Sequence, residues 1–481
     1  MSSKTLAQGV LTRAVAHHQA GRLREAADGY VTVLRSDPRH PDALHLLGVV
    51  ALQTGQPEKA ETLIRQAIAQ TAGVPDYWDN LGSALMALGR PQEAVDAHAE
   101  AVNLNPDSAP TRHNLGNALH ATGMHGTAIV AFVSALVLKP DYAKAWYNIG
   151  NTLRAQGRLP DAIVALRRAV QLLPGMVEAH NNLGDALAAA GRLDEALAEH
   201  RMVADLRPED AKAHYNLGAI LQQRGAFESA EIAYREALRR QPRHAAALNN
   251  LGSVLKRLGR PAQAEQCHRQ ALEIHPDFVE ARYNLGNALQ AQGRLDEAAA
   301  CYEQALEQNP NLATASYNLA LLALLHGDLG RGWAGYERRF ASGEVLPNRR
   351  IPLPQWKGEV LRGRRLLIWR EQGLGDEILF ASCYPDVVAW AGGPVTIECD
   401  PRLVTLFQRS FPAAAVRAES CTPQGDETIQ PPDCDLQVPA GGLPHRLRET
   451  LGGSTRRLPG WCPIRRASPA GPTGWRRSVP D

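Results

Sequence analysis

Eight asparagines stand in register along this chain, Asn80, Asn114, Asn148, Asn182, Asn216, Asn250, Asn284 and Asn318, each 34 residues after the one before. A primary amide carries two N–H donors and one carbonyl acceptor, so a regularly spaced row can bind the backbone of an extended peptide with little regard to its side chains. The residue before each amide is often an aromatic or a second polar group: His113, Tyr147, Asn181, Tyr215, Asn249, Tyr283 and Tyr317. Such rings add amphipathic contact area. Three residues beyond the amides stand Asn117, Asn151, Asp185 and Asn287. The row has a second use compatible with the first, the joining of neighbouring helices, because buried amides are usually satisfied within the protein.

The elements that hold this row repeat with the same step. Leu/Ile-Gly recurs at Leu47-Gly48, Leu81-Gly82, Leu115-Gly116, Ile149-Gly150, Leu183-Gly184, Leu217-Gly218, Leu251-Gly252 and Leu285-Gly286, and a further glycine recurs from Gly21 to Gly327. Ala60, Ala94, Ala128, Ala162, Ala196, Ala230, Ala264 and Ala298 mark a third fixed position. Three registers in agreement identify a repeat protein. Within residues 109–142, Leu115, Ala118 and Leu119 fall at helical spacing, and Ala128, Phe132 and Ala135 form one stripe of a second helical segment, so each unit is a helix pair. Gly123 suits the left-handed residue that ends the first helix, and Pro140 stops the second just after Lys139. Gly116, Ala128 and Ala135 let the two backbones approach closely.

Small residues at the eighth, twentieth and twenty-seventh positions, with proline at the thirty-second, resemble the tetratricopeptide repeat (TPR) family. With Ala109 as position one the frame gives ten units: 7–40, 41–74, 75–108, 109–142, 143–176, 177–210, 211–244, 245–278, 279–312 and a degenerate 313–346. The first has Arg13-Ala14 in place of Leu-Gly, and the last has Gly332 and Arg339 in the alanine positions, so both read as adapted caps. The resemblance implies an all-α superhelical solenoid whose inner face, lined by first helices, suits an elongated protein or peptide partner. A similar amide ladder in the TPR array of O-GlcNAc transferases is implicated in gripping substrate peptide. The chaperone-binding TPR type uses a lysine at position five, which these repeats lack.

Composition agrees with such a scaffold. The formal net charge of +2 gives no general attraction to nucleic acid or to acidic membranes. Seven cysteines include no C-x-x-C pair, which fits a reducing compartment. The N-terminus lacks a signal-like apolar stretch and no segment is long enough to span a membrane, so a cytoplasmic location is expected. His98, His200 and His268 share the position that holds Phe132, Tyr234 and Tyr302 elsewhere, and read as aromatic substitutes packed between helices. No metal site is expected.

After the array the character changes. Residues 347–364 read as a Pro/Gly-containing linker with Trp356 as an anchor. Arg365 to Trp369 reads as a buried strand, Gln372 to Asp376 as a tight turn and 377–391 as a helix; 394–399 is a second strand and 401–410 a second helix. Strand and helix in alternation mean a parallel α/β sheet. Trp356-Lys357-Gly358-Glu359 and Glu371-Gln372-Gly373-Leu374-Gly375-Asp376 resemble bacterial proteins in which TPR arrays precede a heptosyltransferase-like (GT-B) glycosyltransferase domain. That resemblance implies an N-terminal Rossmann-like lobe over 365–450, with Gly373 and Gly375 in a ligand-binding loop and Asp376 as a candidate base toward an acceptor hydroxyl. Asp376 also suits a helix cap. Residues 451–481, rich in Arg, Pro and Gly, read as a disordered tail or a frame-shifted terminus, leaving the α/β part small and incomplete, without a donor lobe. The sequence thus supports a cofactor-free scaffold for extended protein segments, with a glycosyltransferase using a nucleotide sugar as the alternative.

Overall fold

The computed structural model describes residues 3–343, 345, 351–419 and 433–448; the expected tail lies outside these, as does part of the linker. Two compact units divide at Ala247 and Leu248, within the helix Ala245–Arg257. In the first, helices pair as Ser3–Gln19 with Leu23–Ser36, Pro41–Gln53 with Pro57–Gln70, Pro75–Ala87 with Pro91–Leu104, and Ala109–Ala121 with His125–Leu138. Ala143–Ala155 with Leu159–Leu172, Val177–Ala189 with Leu193–Leu206, and Ala211–Gln223 with Phe227–Arg240 follow. The second unit continues with Pro261–Ile274, Val279–Gln290 with Leu295–Gln308, and Ala313–Leu325 with Leu329–Tyr336.

Each turn between paired helices is closed by the repeating glycine. Gly123 has φ 80°, its N–H bonds His120 O at 3.0 Å, and the Met124 N–H bonds Leu119 O at 3.0 Å. These are the two bonds of a Schellman cap, which satisfies carbonyls the helix end leaves open. Between the helices the alanine row from Ala60 to Ala298 is fully buried. The glycine at position eight faces the side chain at position twenty-four: a Cβ on Gly82 would lie 2.6 Å from the His98 ring, and one on Gly116 2.5 Å from the Phe132 ring. His98, His200 and His268 are therefore buried aromatic fillers, as expected.

The two end repeats solve the same contact the other way round. Ala14 and Ala320 occupy position eight, and glycine moves to the second helix, where a Cβ on Gly29 would meet Ala14 Cβ at 2.6 Å and one on Gly335 would meet Ala320 Cβ at 2.7 Å. One glycine per pair suffices for close approach.

The second unit ends in a four-stranded parallel sheet: β1 Leu366–Trp369, β2 Val395–Cys399, β3 Ala415–Ala418 and β4 Leu436–Pro439, in the order β3-β2-β1-β4. Leu366 pairs with Val395 on one side and Leu436 on the other. Both β1 and β2 are buried along their whole length, as central parallel strands should be. Trp356 is buried, with its backbone N–H on Gln437 O at 2.8 Å and its indole N–H on Glu359 O at 2.7 Å. The single helix expected over 377–391 is two, Leu374–Ala381 and Tyr384–Ala391. Pro385 lacks an N–H and its ring would collide with the Ala381 carbonyl in a continuous helix, so the chain breaks before it. Tyr317, Leu321, Leu324, Trp333 and Tyr336 of the last repeat pack into the same core as Leu366, Ile368, Phe380 and Val438.

Candidate functional site

The amide ladder lies on the first helix of each pair, and in six of its members the N–H groups are engaged between repeats. Asn80 Nδ2 donates to His45 Nε2 at 2.9 Å, Asn114 Nδ2 to the Asp79 carboxylate at 3.1 and 3.3 Å, and Asn148 Nδ2 to His113 Nε2 at 2.9 Å and Asn117 Oδ1 at 2.6 Å. Asn182 Nδ2 donates to the Tyr147 hydroxyl at 3.1 Å and Asn151 Oδ1 at 2.7 Å. In the second unit Asn284 donates to Asn249 Oδ1 at 3.1 Å, and Asn318 to the Tyr283 hydroxyl at 3.2 Å and Asn287 Oδ1 at 3.1 Å. The acceptors are the position-five and position-nine residues of the preceding repeat. The structure thus brings together the three rows that the sequence set side by side, and adds His45 and Asp79, which sequence reasoning passed over although they occupy position five.

Position five also reaches position twenty-four of its own repeat. His98 Nδ1 donates to Asp79 Oδ1 at 2.8 Å, and His268 Nδ1 to Asn249 Oδ1 at 3.1 Å, so one acceptor joins both helices of its pair to the next repeat. Tyr283 and Tyr302 meet with ring centroids 5.7 Å apart, and Tyr215 and Tyr234 at 6.0 Å. Burial pushes the His268 imidazole down to about 4. Among the described residues no group of three or more His, Cys, Asp or Glu side chains could hold a metal ion.

Among the steps that lie within one unit, one differs. No hydrogen bond joins Asn216 to Asn181 or Asp185, and Asn181 Oδ1 is buried without a partner. A groove of about 700 Å³ opens there, lined by Tyr147, Asn181, Asn182, Asp185, Lys212 and Asn216 among others.

At the carboxyl edge of the sheet, Gly373 precedes the helix Leu374–Ala381, and Gly375 and Asp376 lie in its first turn and not in the preceding turn where they were expected. Asp376 is half-buried and forms no side-chain cap bond there. An acidic residue in a first turn is favourable to the helix dipole. Deeper lie Arg339, read in the sequence only as a cap residue, and Glu371, quoted there only as part of a motif. Arg339, in an alanine position of the last repeat, is fully buried and donates through Nε to Glu371 at 2.6 Å, while the Gly441 N–H reaches the other carboxylate oxygen. Burial raises the Glu371 carboxyl, and Arg339 pulls it the other way. Tyr336 accepts from Gln372 Nε2 at 2.6 Å. These contacts fill the mouth between β1 and β4, where the strand order reverses and open α/β sheets commonly bind ligands. On the other side of β1, Arg370 sits 2.8 Å from Glu377 and 3.2 Å from both Asp400 and Glu419. Burial raises Glu377, and the Arg402 hydrogen bond holds Asp400 below the usual carboxylate range.

Among the described residues, no helix is long and apolar enough to cross a membrane. Models described as tetratricopeptide repeat match residues 17–82, 75–108, 147–211, 209–277, 243–308 and 283–340, and one described as TPR repeat matches 116–157. The chain is similar to Protein FlbA of Caulobacter vibrioides, 44% identical over 85 residues that make up 17% of this chain and 14% of that protein. It thus spans about one seventh of the length of the curated relative it matches, from the 14% shared. Among solved structures, YrrB, a TPR protein with an unusual peptide-binding site, is 22% identical with a TM-score of 0.36, covering 39% of this chain and 96% of YrrB. MamA is 26% identical with a TM-score of 0.33, covering 36% of this chain and 93% of MamA. Helix pairs closed at a 34-residue step, and family matches that together run through residues 17–108 and 116–340, make this chain a member of the tetratricopeptide-repeat proteins.

Proposed function

We propose that the chain is a scaffold that holds extended protein segments along its row of first helices, with the ladder from Asn80 to Asn318 and the rings of Tyr147, Tyr215 and Tyr283 at the contact face. One observation carries this reading. In Asn114, Asn148, Asn182, Asn284 and Asn318, all half-buried residues, the amide N–H groups are used between repeats, while the carbonyl oxygens carry no hydrogen bond from the described residues. The internal bonds fix each amide plane, so a row of acceptors stands ready for the N–H groups of an extended backbone at little further cost in side-chain entropy. Structural and binding uses divide the two ends of one amide.

Replacement of Asn114, Asn148 and Asn182 together by Ala removes three acceptors, each worth about 0.5–1.5 kcal/mol to a bound backbone. Capture of peptides from a random dodecapeptide library should fall at least tenfold at a temperature where circular dichroism shows the variant folded. Undiminished capture by the folded variant removes the ladder from the binding face.

The alternative, a glycosyltransferase with Gly373 and Gly375 near a nucleotide sugar and Asp376 as base, draws support from the parallel β3-β2-β1-β4 order and from the place of Asp376 beside the carboxyl end of β1. Against it, Arg339, Glu371 and Tyr336 occupy the mouth between β1 and β4. Calorimetric titration of the full chain with nucleotide sugars decides: saturable micromolar binding would favour the enzyme.

A further inference from the structure

Among the ladder steps contained within one unit, six are bridged: Asn80 to His45, Asn114 to Asp79, Asn148 to His113, Asn182 to Tyr147, Asn284 to Asn249 and Asn318 to Tyr283. The seventh, Asn216 to Asn181, is not. Here Asn181 Oδ1 is buried and has no donor, and Asn181 is among the residues that line the groove of about 700 Å³. Position nine of this repeat is Asp185, where Asn117, Asn151 and Asn287 accept in the bridged steps. Its half-exposed carboxylate lies 3.7 Å from Arg154 Nη1 and 3.4 Å from His200 Nε2, both loose contacts. An unpartnered buried acceptor is destabilising, so this step is held less firmly than its bridged neighbours.

The charge of the groove restricts its ligand. Glu178, Asp185, Glu209 and Asp210 line it with Arg207 and Lys212; Arg154 stands 3.7 Å from Asp185 and Arg240 3.8 Å from Glu209, so among the described residues no cation is closer than 3.4 Å to these carboxylates. We propose that this unbridged step is the anchoring cleft of the scaffold, and that it takes an Arg or Lys residue of an extended protein segment. The cationic side chain pairs with the half-exposed Asp185 beside Asn181, and the backbone carbonyl of the bound segment accepts from Asn216 Nδ2. A peptide residue with a cationic side chain is the one class that supplies a strong donor, an acceptor and complementary charge together. The inference rests on the peptide-binding reading above and adds to it a place and a side-chain class.

The test pans a random dodecapeptide library displayed on phage against the full chain and, in parallel, against Asp185→Asn and Asn216→Ala, both checked for fold by circular dichroism. Recovered peptides should carry Arg or Lys at one position far above the input frequency, and synthetic versions should bind at least tenfold tighter than their Glu counterparts by fluorescence anisotropy. Asp185→Asn should erase most of that preference, and Asn216→Ala should weaken all peptides alike. Peptides that bind without basic bias, or whose bias survives in Asp185→Asn, overturn the cleft and leave the scaffold reading standing. If no peptide is recovered from the library, both fall.

Discussion

Gly150→Leu tests the contact on which the eight central repeats are built. Gly150 lies within the helix Ala143–Ala155, and a Cβ there would stand 2.5 Å from Leu166 Cγ, 2.9 Å from Leu166 Cδ2 and 3.3 Å from the Ala162 carbonyl oxygen. Carbon atoms in contact normally sit about 3.5–4.0 Å apart, so the first methyl overlaps by about 1 Å before the rest of the side chain is placed. Leu166 cannot swing away: its branch point is struck, and it is fully buried in the facing helix. Overpacking of this kind costs about 1–3 kcal/mol, while the better helix propensity of Leu over Gly returns about 0.8 kcal/mol. The variant should therefore lose up to about 2 kcal/mol.

The assay must separate overlap from a general effect of losing glycine. Leu166→Ala alone opens a cavity and costs about 2–5 kcal/mol, but combined with Gly150→Leu it makes room for the new side chain. A coupling energy of about 1–3 kcal/mol in favour of the double variant is expected. Gly9, exposed in the helix Ser3–Gln19 with nothing within 4 Å of its would-be Cβ, is the control. Gly9→Ala should stabilise by up to about 1 kcal/mol. Because long repeat arrays do not unfold in one step, hydrogen exchange of the Ala143–Ala155 and Leu159–Leu172 amides is the appropriate readout. Additive effects in the Gly150 and Leu166 pair would refute the packing argument.

Two further outcomes follow from buried polar groups. His268 is pushed down to about 4 by burial, against an ordinary value of 6.5, so as pH falls the unfolded chain takes up its proton first. The His268 share of stability should decline by about 3 kcal/mol from about pH 6.5 to about pH 4, a share of the pH dependence that His268→Phe removes and that hydrogen exchange of the Pro261–Ile274 amides reads. Arg339→Leu strands Glu371 in the core at a cost of about 3–5 kcal/mol, which should appear as faster exchange of the Leu366–Trp369 amides. Arg339→Leu with Glu371→Leu should recover most of it, and equal exchange in the single and double variants would refute the account.

The array was legible because each of its contacts repeats. A glycine at position eight facing position twenty-four, written eight times over, and a glycine that closes each turn, written ten times, are local rules, so period alone reveals them. The departures at the ends were visible as Ala14, Gly332 and Arg339, but the exchange of glycine to Gly29 and Gly335 shows only once Ala14 and Ala320 are seen to face them. What the period hides is the exception. Arg339 reads as a failed alanine until the chain folds and sets it against Glu371, a partner 32 residues away in a different kind of structure. Asn181 reads as one more polar residue in its column until the bond to Asn216 is found missing. Repetition identifies the scaffold, and a departure from it is where the chain is free to differ from any other scaffold of its kind. The acidic groove at Asn181, Asp185 and Asn216 is such a departure on the ladder, and the buried Arg339 is such a departure at its end.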